Sequence, residues 1–340
     1  MKKMKLTAVI ACMLISIVSL KAQDPSFSQF FSSPLNINPA LTANINADWR
    51  MISNLRDQWI GPASPYVTGT ISFDRKIFQN KIPNVDVEND IIGVGGMLMF
   101  DNAFSGIVRS FYASLNLSYN IKLAEYNGKT HRLEAGFGAI YGDRNIDFSR
   151  VDFEEQFTGF GFNTNLPTGE PALSNTKGYF SSSAGLVYSY RTEKSNFDAG
   201  VAAFHLNKPR QTFLEDKHQI LAMRKVAHAN FETYLNNRVV LNTNAIYQYQ
   251  DKANYFSIGG ALGYYLADYQ TMLNAGLWYW SKNALVPYVG IAYKDLQVGV
   301  SYDVTTSKLN QATRKPNTWE LSLILRGSTK PSTVIPCPWK

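Results

Sequence analysis

Residues 239–250 read VVLNTNAIYQYQ, an alternation of apolar and polar side chains. Successive side chains of a strand point to opposite faces, so this period of two predicts a β-strand with one apolar and one hydrated face. Residues 107–121 and 319–326 alternate in the same way. The apolar face of the first stretch comprises Val239, Leu241, Thr243, Ala245, Tyr247 and Tyr249, and the opposite face carries Asn242, Asn244, Gln248 and Gln250.

The alternating segments are long for a soluble sheet. Most run for about 9 to 15 residues, whereas soluble strands average about 5 to 6 and a tilted membrane strand needs about 9 to 11. Aromatic side chains stand near the ends of the apolar faces, as in Tyr247 with Tyr249 and Trp278 with Trp280, where a membrane barrel has its interfacial girdles. Because a sheet in lipid must close, the sequence predicts an all-β transmembrane antiparallel up-and-down β-barrel.

The pattern resolves into about fourteen strands. Connections after even-numbered strands are mostly short, except 77–89, and those after odd-numbered strands include the long ones at 144–176, 207–223 and 306–316. Short periplasmic turns and long outer loops are usual, so we expect short N-terminal and C-terminal periplasmic segments. The predicted strands are residues 48–60, 66–76, 90–101, 107–123, 130–143, 177–191, 195–206, 224–236, 238–250, 254–267, 269–281, 286–294, 296–305 and 317–327.

The N-terminus has the layout of a secretory signal peptide. Three lysines precede an apolar run from Leu6 to Leu20, which is too short to span a bilayer, and Ala22 supplies the small residue before a cut at Gln23. A rival interpretation takes Cys12 as a lipoprotein cysteine, but the apolar run continues past it. The predicted organisation is a signal peptide at 1–22, an N-terminal lead or plug segment at 23–47, an outer-membrane barrel of a Gram-negative bacterium at 48–327 and a C-terminal tail at 328–340.

Composition argues against several classes of function. Residues 1–22 hold four lysines and no acid, so their removal lowers the net charge from +7 to +3. No basic block of the kind that binds phosphate backbones remains, and we predict no nucleic-acid partner. After cleavage Cys337 is the one cysteine left, so no disulfide can form within the chain.

No catalytic or metal-binding pattern stands out. His205 or His228 beside a lumen serine could supply part of a barrel phospholipase site, but any polar-lined barrel offers such pairs. The acidic residues of 146–156, IDFSRVDFEEQ, lack the spacing and the glycine of a calcium loop. We therefore predict no catalytic residue, no cofactor and no metal, and we interpret the aromatic-rich loop at 144–176 as an outer lid or docking surface.

Motifs along the chain resemble a known family. The lead SQF at 28–30, followed by PLNINPA at 34–40, resembles the opening of the PorP/SprF family of the type IX secretion system of Bacteroidetes. Leu41-Thr42-Ala43 replaces the aromatic-Ala-Gly that often follows. Further matches are Arg56, Gln58 and Trp59 in NLRDQW, PYVTGTIS at 65–72, IGVGG at 92–96 with Asp101 and Gly106 in register, and the ending IPCPW at 335–339.

The resemblance covers essentially the whole mature chain and implies a nonenzymatic outer-membrane barrel. Its implied partners are the periplasmic ring or peptidoglycan-linked proteins of type IX secretion and secreted gliding adhesins, with outer-membrane lipid around the barrel. The lead could be a simple tether, a plug or a periplasmic docking strand, and Cys337 could be a small residue packed beneath the barrel. The candidate docking or plug residues are Asn36, Asn38, Pro39, Cys337 and Pro338.

The alternative function is an outer-membrane transporter for hydrophobic small molecules. Such a protein needs a continuous apolar pocket. The inferred lumen face is instead polar, with Ser110, Ser114 and Asn116 on one strand and Asn242 and Asn244 on another.

Overall fold

The predicted strands are all present in the computed structural model, which describes residues 24–61, 64–77, 90–169, 177–211, 220–268, 270–307, 311 and 316–328. They number fourteen when the two parts of the thirteenth are counted as one. The strands are β1 (Trp49–Ile60), β2 (Tyr66–Ile77), β3 (Ile91–Ala103), β4 (Val108–Tyr126), β5 (Lys129–Ile146), β6 (Tyr179–Arg191), β7 (Ser195–Phe204), β8 (Arg224–Tyr234), β9 (Val239–Gln250), β10 (Ala253–Tyr265), β11 (Thr271–Trp280), β12 (Ala284–Tyr293), β13 (Leu296–Tyr302, continued by Val304–Thr305) and β14 (Asn317–Gly327).

The sheet closes into a barrel. Each strand pairs antiparallel with the next along the chain, and β14 pairs with β1 at a seam where Trp49 lies opposite Gly327 and Arg56 opposite Glu320. Closure satisfies the backbone groups that an open edge would leave unpaired in lipid. The predicted fold is confirmed, and the largest differences in strand ends lie in the β4–β5 hairpin, where both strands are longer than the pattern predicts.

The two faces of the wall follow the predicted alternation. In β4 the outward side chains Leu115 and Leu117 are exposed, while Ser114, Asn116 and Ser118 are buried towards the lumen. An apolar exterior is stable only where acyl chains replace water. The wall is therefore that of an outer-membrane barrel.

Two tryptophans depart from the predicted girdle. Trp278 and Trp280 are buried in the lumen, at 1% and 7% exposure, while their neighbours Leu277 and Tyr279 face outward. The prediction that Trp278 and Trp280 belong to the lipid-facing aromatic girdle is therefore wrong. The reason is the content of the lumen, because apolar residues of the N-terminal segment supply packing partners there.

The barrel has two unlike ends. Connections after odd-numbered strands, including 147–178 and 205–223, lie at one end, which we call the loop end. The opposite end, the turn end, holds Trp49, Gly327 and short turns such as 127–128. This arrangement follows from strand parity, because a chain that starts its first strand at one end returns there after every second strand.

The N-terminal segment, interpreted from its sequence as a lead or plug, lies inside the barrel. Residues 24–47, the plug segment, lie inside the lumen, where nearly all of their side chains are buried or half-buried. Phe27, Phe30 and Leu35 remove their apolar surface from water by packing against inward-facing wall residues, which a segment outside the barrel could not do. The segment contains 3-10 turns at Phe30–Ser32 and Pro39–Leu41 and a single helical turn, α1, at Pro34–Ile37.

Other helical structure is brief. Three further 3-10 turns occur at Phe104–Gly106, Phe148–Arg150 and Glu154–Gln156. In the described part of the chain, none of the helices has the length and apolar character needed to cross a bilayer. The predicted signal peptide at 1–22 and most of the tail, including Cys337 and Pro338, lie outside the described residues.

Candidate functional site

The plug segment runs the length of the lumen. At the loop end, the Asp24 N–H donates to Gln250 Oε1 at 2.9 Å, and the Gln250 amide donates back to Asp24 Oδ1 at 3.1 Å. At the turn end, Asn44 Nδ2 donates to Glu134 Oε2 at 2.8 Å. The plug segment therefore begins at the loop end and ends beside the start of β1.

Asn38 fixes the middle of the plug segment to the wall. Its side chain is fully buried, and Nδ2 donates to the carbonyl oxygens of Leu186 and Val201, both at 3.2 Å, and lies 3.1 Å from His228 Nε2. Its Oδ1 accepts the Ala40 N–H at 2.9 Å and so caps the turn at Pro39–Leu41. One amide thereby joins the plug segment to β6, β7 and β8.

Two wall glycines allow this close approach. A Cβ added to Gly185 would lie 1.9 Å from Asn38 Oδ1, and a Cβ added to Gly136 would lie 2.2 Å from the Ala40 nitrogen. Both distances are too short for any real contact, so only glycine fits while the plug segment stays where it is. The absence of side chains at these two positions of β5 and β6 leaves room for the turn that begins at Pro39.

A charged cluster at the seam holds the start of the plug segment. Arg56 of β1 pairs with Asp303 at 2.8 Å and with Glu320 of β14, and all three side chains are buried. Glu320 accepts the backbone N–H groups of Ser28 and Gln29 at 2.5 and 2.7 Å. Charge-assisted bonds of this kind are about twice as strong as neutral ones.

The Ser28 and Gln29 side chains extend the same cluster. Ser28 Oγ donates to Asp303 Oδ2 at 2.9 Å, and Gln29 Nε2 donates to Ser301 Oγ at 2.9 Å. Ser322 Oγ donates to Gln29 Oε1 at 2.8 Å. Residues from two separate sequence motifs, SQF and NLRDQW, therefore meet in one network.

A second charged anchor lies at the loop end. Asp24 pairs with Arg224 at 3.1 Å and with His205 at 2.8 Å. Burial alone would raise the pKa of the Asp24 carboxyl. Arg224 and His205 together lower this pKa by more than burial raises it, so the net pKa lies below the usual value. The carboxylate is thus ionised where Arg224 needs a counter-charge.

His205 also contacts Ser181, at 2.8 Å from Nδ1 to Oγ, which gives a serine–histidine–aspartate chain of contacts. A hydrolase with this chain needs an accessible nucleophile beside space for substrate. Ser181 is instead buried, and Asp24 is shared with Arg224 and Gln250. We therefore interpret these contacts as an anchor for the plug segment.

Further ion pairs hold the turn end. Arg50 pairs with Asp74 at 2.7 Å, and Asp74 accepts the Ala43 N–H at 2.7 Å. Arg191 pairs with Asp198 at 2.5 Å and donates to Asn44 Oδ1 at 3.1 Å. The plug segment is thus attached to charged wall groups near both of its ends.

Between these anchors the plug segment also makes apolar contacts. The Phe31 ring stacks on Trp278 at 4.7 Å between centroids and meets Tyr288 edge-on at 5.6 Å. Two spaces between the plug segment and the wall are small. One of about 40 Å³ is lined by Leu35 and Met97 among others, and one of about 70 Å³ is lined by Ile37 among others.

The structure brings together three of the five candidate residues. Asn38 and Pro39 are adjacent in the lumen, and Asn36 is buried nearby, where its carbonyl oxygen accepts from Arg224 Nη2 at 3.1 Å. The described residues contain no cluster of histidine, cysteine, aspartate or glutamate suited to a metal ion. Cys337 and Pro338 lie outside the described residues.

Sequence reasoning missed the charged residues that hold the plug segment. The signal was present in the alternation, since Arg50, Arg56, Glu134 and Glu320 fall on inward positions of strands. A buried charge needs a partner. In this structure the plug segment supplies some of these partners, to Glu320 and to Glu134.

Solved structures of a channel, a transporter and CdiB are similar to this chain. The CymD monoaromatic hydrocarbon channel has a TM-score of 0.50 at 9% identity over 87% of this chain and 93% of its own. The Pseudomonas putida toluene transporter TodX has a TM-score of 0.47 at 11% identity over 89% of this chain and 94% of its own. CdiB from Acinetobacter baumannii has a TM-score of 0.41 at 8% identity, with 82% of this chain matched to 60% of CdiB. The likeness to CymD, at 9% identity, shows the fold alone.

No curated protein matches this sequence. The sequence model of the type IX secretion system membrane protein PorP/SprF matches residues 19–325. This match spans the plug segment and nearly all of the barrel, including both sides of the seam cluster. The chain therefore belongs to the PorP/SprF family of type IX secretion system membrane proteins.

Proposed function

We propose that the protein is a nonenzymatic component of type IX protein secretion and gliding that works as a plugged barrel and binds partners at its two ends. Family membership supports the link to secretion. The observation that carries the proposal is the filled lumen, in which the plug segment is attached to charged groups of several strands. Other proteins can bind the two ends of such a barrel, but its filled lumen gives them no passage.

Each end has its own class of partner in this proposal. The turn end faces the periplasm and anchors ring or peptidoglycan-linked proteins of the secretion machinery. The loop end faces outward and supports the export and attachment of secreted adhesin-type proteins. The apolar wall between them contacts outer-membrane lipid.

The described part of the connection after β5, residues 147–169, supplies the docking surface at the loop end. Phe157, Phe160 and Phe162 are all exposed, and Phe160 is fully so. The turn that presents them is ordered, because the Thr158 N–H donates to the Gly161 oxygen at 3.0 Å and buried Gln156 bonds the Leu166 oxygen at 3.0 Å. Apolar side chains held at the surface in this way are typical of binding sites.

A disulfide between plug segment and wall tests the central claim. Ser32 Oγ donates to Asn54 Oδ1 at 2.9 Å, so Ser32→Cys with Asn54→Cys, in a Cys337→Ser background, would attach the plug segment to β1. The matched control is Ser32→Cys alone. The measurement is the amount of type IX cargo in the culture supernatant, with disulfide formation read from a mobility shift on reduction.

The two outcomes separate the two functions. Secretion that continues with the disulfide formed supports a barrel that acts with its plug in place. Secretion or solute uptake that stops with the disulfide and returns on reduction would contradict the proposal and favour a conduit. The transporter alternative needs such an opening, because the spaces beside Leu35 and Ile37, of about 40 and 70 Å³, are far smaller than a usual ligand pocket of about 300–1,000 Å³.

The orientation is tested by labelling intact cells. In the same Cys337→Ser background, Phe160→Cys at the loop end is expected to react with a membrane-impermeant maleimide. Asn237→Cys, in an exposed turn at the turn end, is the matched control and is expected to react only after lysis. The reverse pattern would overturn the proposed orientation.

A further inference from the structure

A cavity beside the start of the plug segment opens at the loop end. It has a volume of about 970 Å³, and Asp24 and Pro25 of the plug segment form part of its lining. This cavity, the vestibule, is at the upper end of the range of small-molecule pockets, about 300–1,000 Å³. Unlike the small spaces beside the plug segment, it could admit a ligand without movement of the plug.

Aromatic rings line two walls of the vestibule. Trp59 and Tyr66 stand on the β1–β2 wall with ring centroids 5.3 Å apart. Tyr255 and Trp280 stand on the β10–β11 wall, also 5.3 Å apart. Trp59, Tyr66 and Tyr255 are half-buried and border the space from two sides, whereas Trp280 is almost fully buried behind Tyr255.

The backbone at Trp59 departs from the strand to bring its ring there. The pairing of β1 with β14 shifts register between Asp57 and Ile60, and Trp59 has a φ of +65°. A left-handed conformation is costly for a bulky residue, and bulges often redirect a side chain at functional sites. The result is that two successive residues, Gln58 and Trp59, both line the vestibule.

The polar lining is neutral in balance. Lys282 Nζ donates to Asn254 Oδ1 at 2.9 Å, and Asp101 accepts from Thr68 Oγ1 at 2.5 Å. Asp24 already pairs with Arg224. The lining also offers hydroxyl and amide groups, and the buried Ser307 hydroxyl has no hydrogen-bond partner within the described residues. Such a surface favours a ligand that is neutral and rich in hydrogen-bonding groups.

We propose that the vestibule binds a neutral oligosaccharide. Sugar rings have apolar faces that can pack on aromatic side chains and hydroxyl groups that can bond amides and hydroxyls, which is the combination present here. A neutral peptide is less suited, since the closed barrel offers it no unpaired strand edge to extend. The site adjoins the first residues of the plug segment and is separate from the phenylalanines of the loop that follows β5.

The test uses the purified full-length mature protein in detergent micelles. Maltotriose, cellotriose and triacetylchitotriose are titrated separately, and binding is measured by calorimetry and by saturation-transfer NMR. At least one trisaccharide is expected to bind saturably, and Trp59→Ala is expected to weaken it about tenfold through loss of ring packing. Heat-modifiable migration on gels checks that each variant is folded.

Trp49→Ala is the matched control, because Trp49 lies at the turn end opposite Gly327 and is expected to leave binding unchanged. If Trp59→Ala does not fold, Asn283→Ala, which removes an amide from the lining, is expected to weaken binding several-fold. The proposal is overturned if no trisaccharide binds saturably, if Trp49→Ala weakens binding as much as Trp59→Ala, or if a neutral Gly-Ser hexapeptide binds better than every sugar. None of these results depends on secretion activity.

Discussion

The plug segment meets two walls of the barrel in different ways. At the seam, buried Arg56 and Glu320 hold Ser28 and Gln29 through charged hydrogen bonds. On the β6–β8 wall, Asn38 makes neutral bonds to backbone carbonyl oxygens over glycine residues. Charged bonds are strong only while every buried charge keeps its partner, whereas close packing depends on shape. Substitutions that remove a charge should therefore destabilise the protein most at the seam, and substitutions that enlarge a side chain should destabilise it on the β6–β8 wall.

The largest expected effect is at the seam. Arg56→Ala leaves Glu320 and Asp303 buried without their cation, and loss of one partner of a buried ion pair typically costs about 3–5 kcal/mol. The measurement is urea unfolding of protein reconstituted in vesicles. Arg75→Ala, at an exposed arginine of β2, is the control and should have little effect. Equal effects of the two substitutions would show that the seam cluster contributes no special stability.

A smaller effect is expected on the opposite wall. Gly185→Ala forces a Cβ against Asn38 Oδ1, and overpacking of this kind typically costs about 1–3 kcal/mol. Gly96→Ala is the matched control, because a Cβ there would have no neighbour closer than 3.4 Å. The same unfolding measurement applies. A Gly185→Ala protein as stable as Gly96→Ala would mean that the plug segment does not press on this wall.

The clash can be assigned to Asn38 by a double-mutant cycle. Asn38→Ala removes the oxygen that a Cβ at position 185 would strike, so Gly185→Ala should cost less in that background. Contacting residues commonly couple by about 0.5–3 kcal/mol. Some cost should remain, because the Val201 oxygen lies 3.1 Å from the added Cβ. Strict additivity of the two substitutions would contradict the packing described here.

The smallest effect on stability is expected at the loop end. Phe160→Ser replaces a fully exposed side chain outside both walls, so the unfolding curve should not move. Recovery of secretion partners by affinity purification from native membranes should nevertheless fall, because an apolar docking surface is interrupted. Thr158→Ser in the same turn is the control. Unchanged recovery would argue against docking through these phenylalanines.

The sequence predicted the barrel closely because the wall follows a local rule. The alternation can be read within each strand. Because the outer face contacts lipid and the inner face is polar, the apolar side chains identify the outer face. The rule failed at Trp278, whose ring is apolar yet faces the lumen. Its neighbour there is Phe31, far away in the chain, and no local pattern indicates that contact.

The position of the plug segment was less predictable for the same reason. Its Asn-rich and Pro-rich sequence predicts turns but does not say where those turns lie. Asn38 meets residues of β6 to β8, and Gln29 meets residues of β13 and β14, so the location is set by contacts between distant parts of the chain. The inward-facing Arg56 and Glu320 were the best indication that something occupies the lumen.

The seam cluster has a consequence for biogenesis. The cluster joins Arg56 of the first strand to Glu320 of the last strand and to Asp303, which lies between the two parts of β13. The Glu320 carboxylate also accepts two N–H groups of the plug segment. A barrel that closes before the plug segment has entered it would leave these carboxylate oxygens without their N–H donors. Closure of the seam between β1 and β14 is therefore expected to favour barrels that already contain the plug segment over barrels that do not.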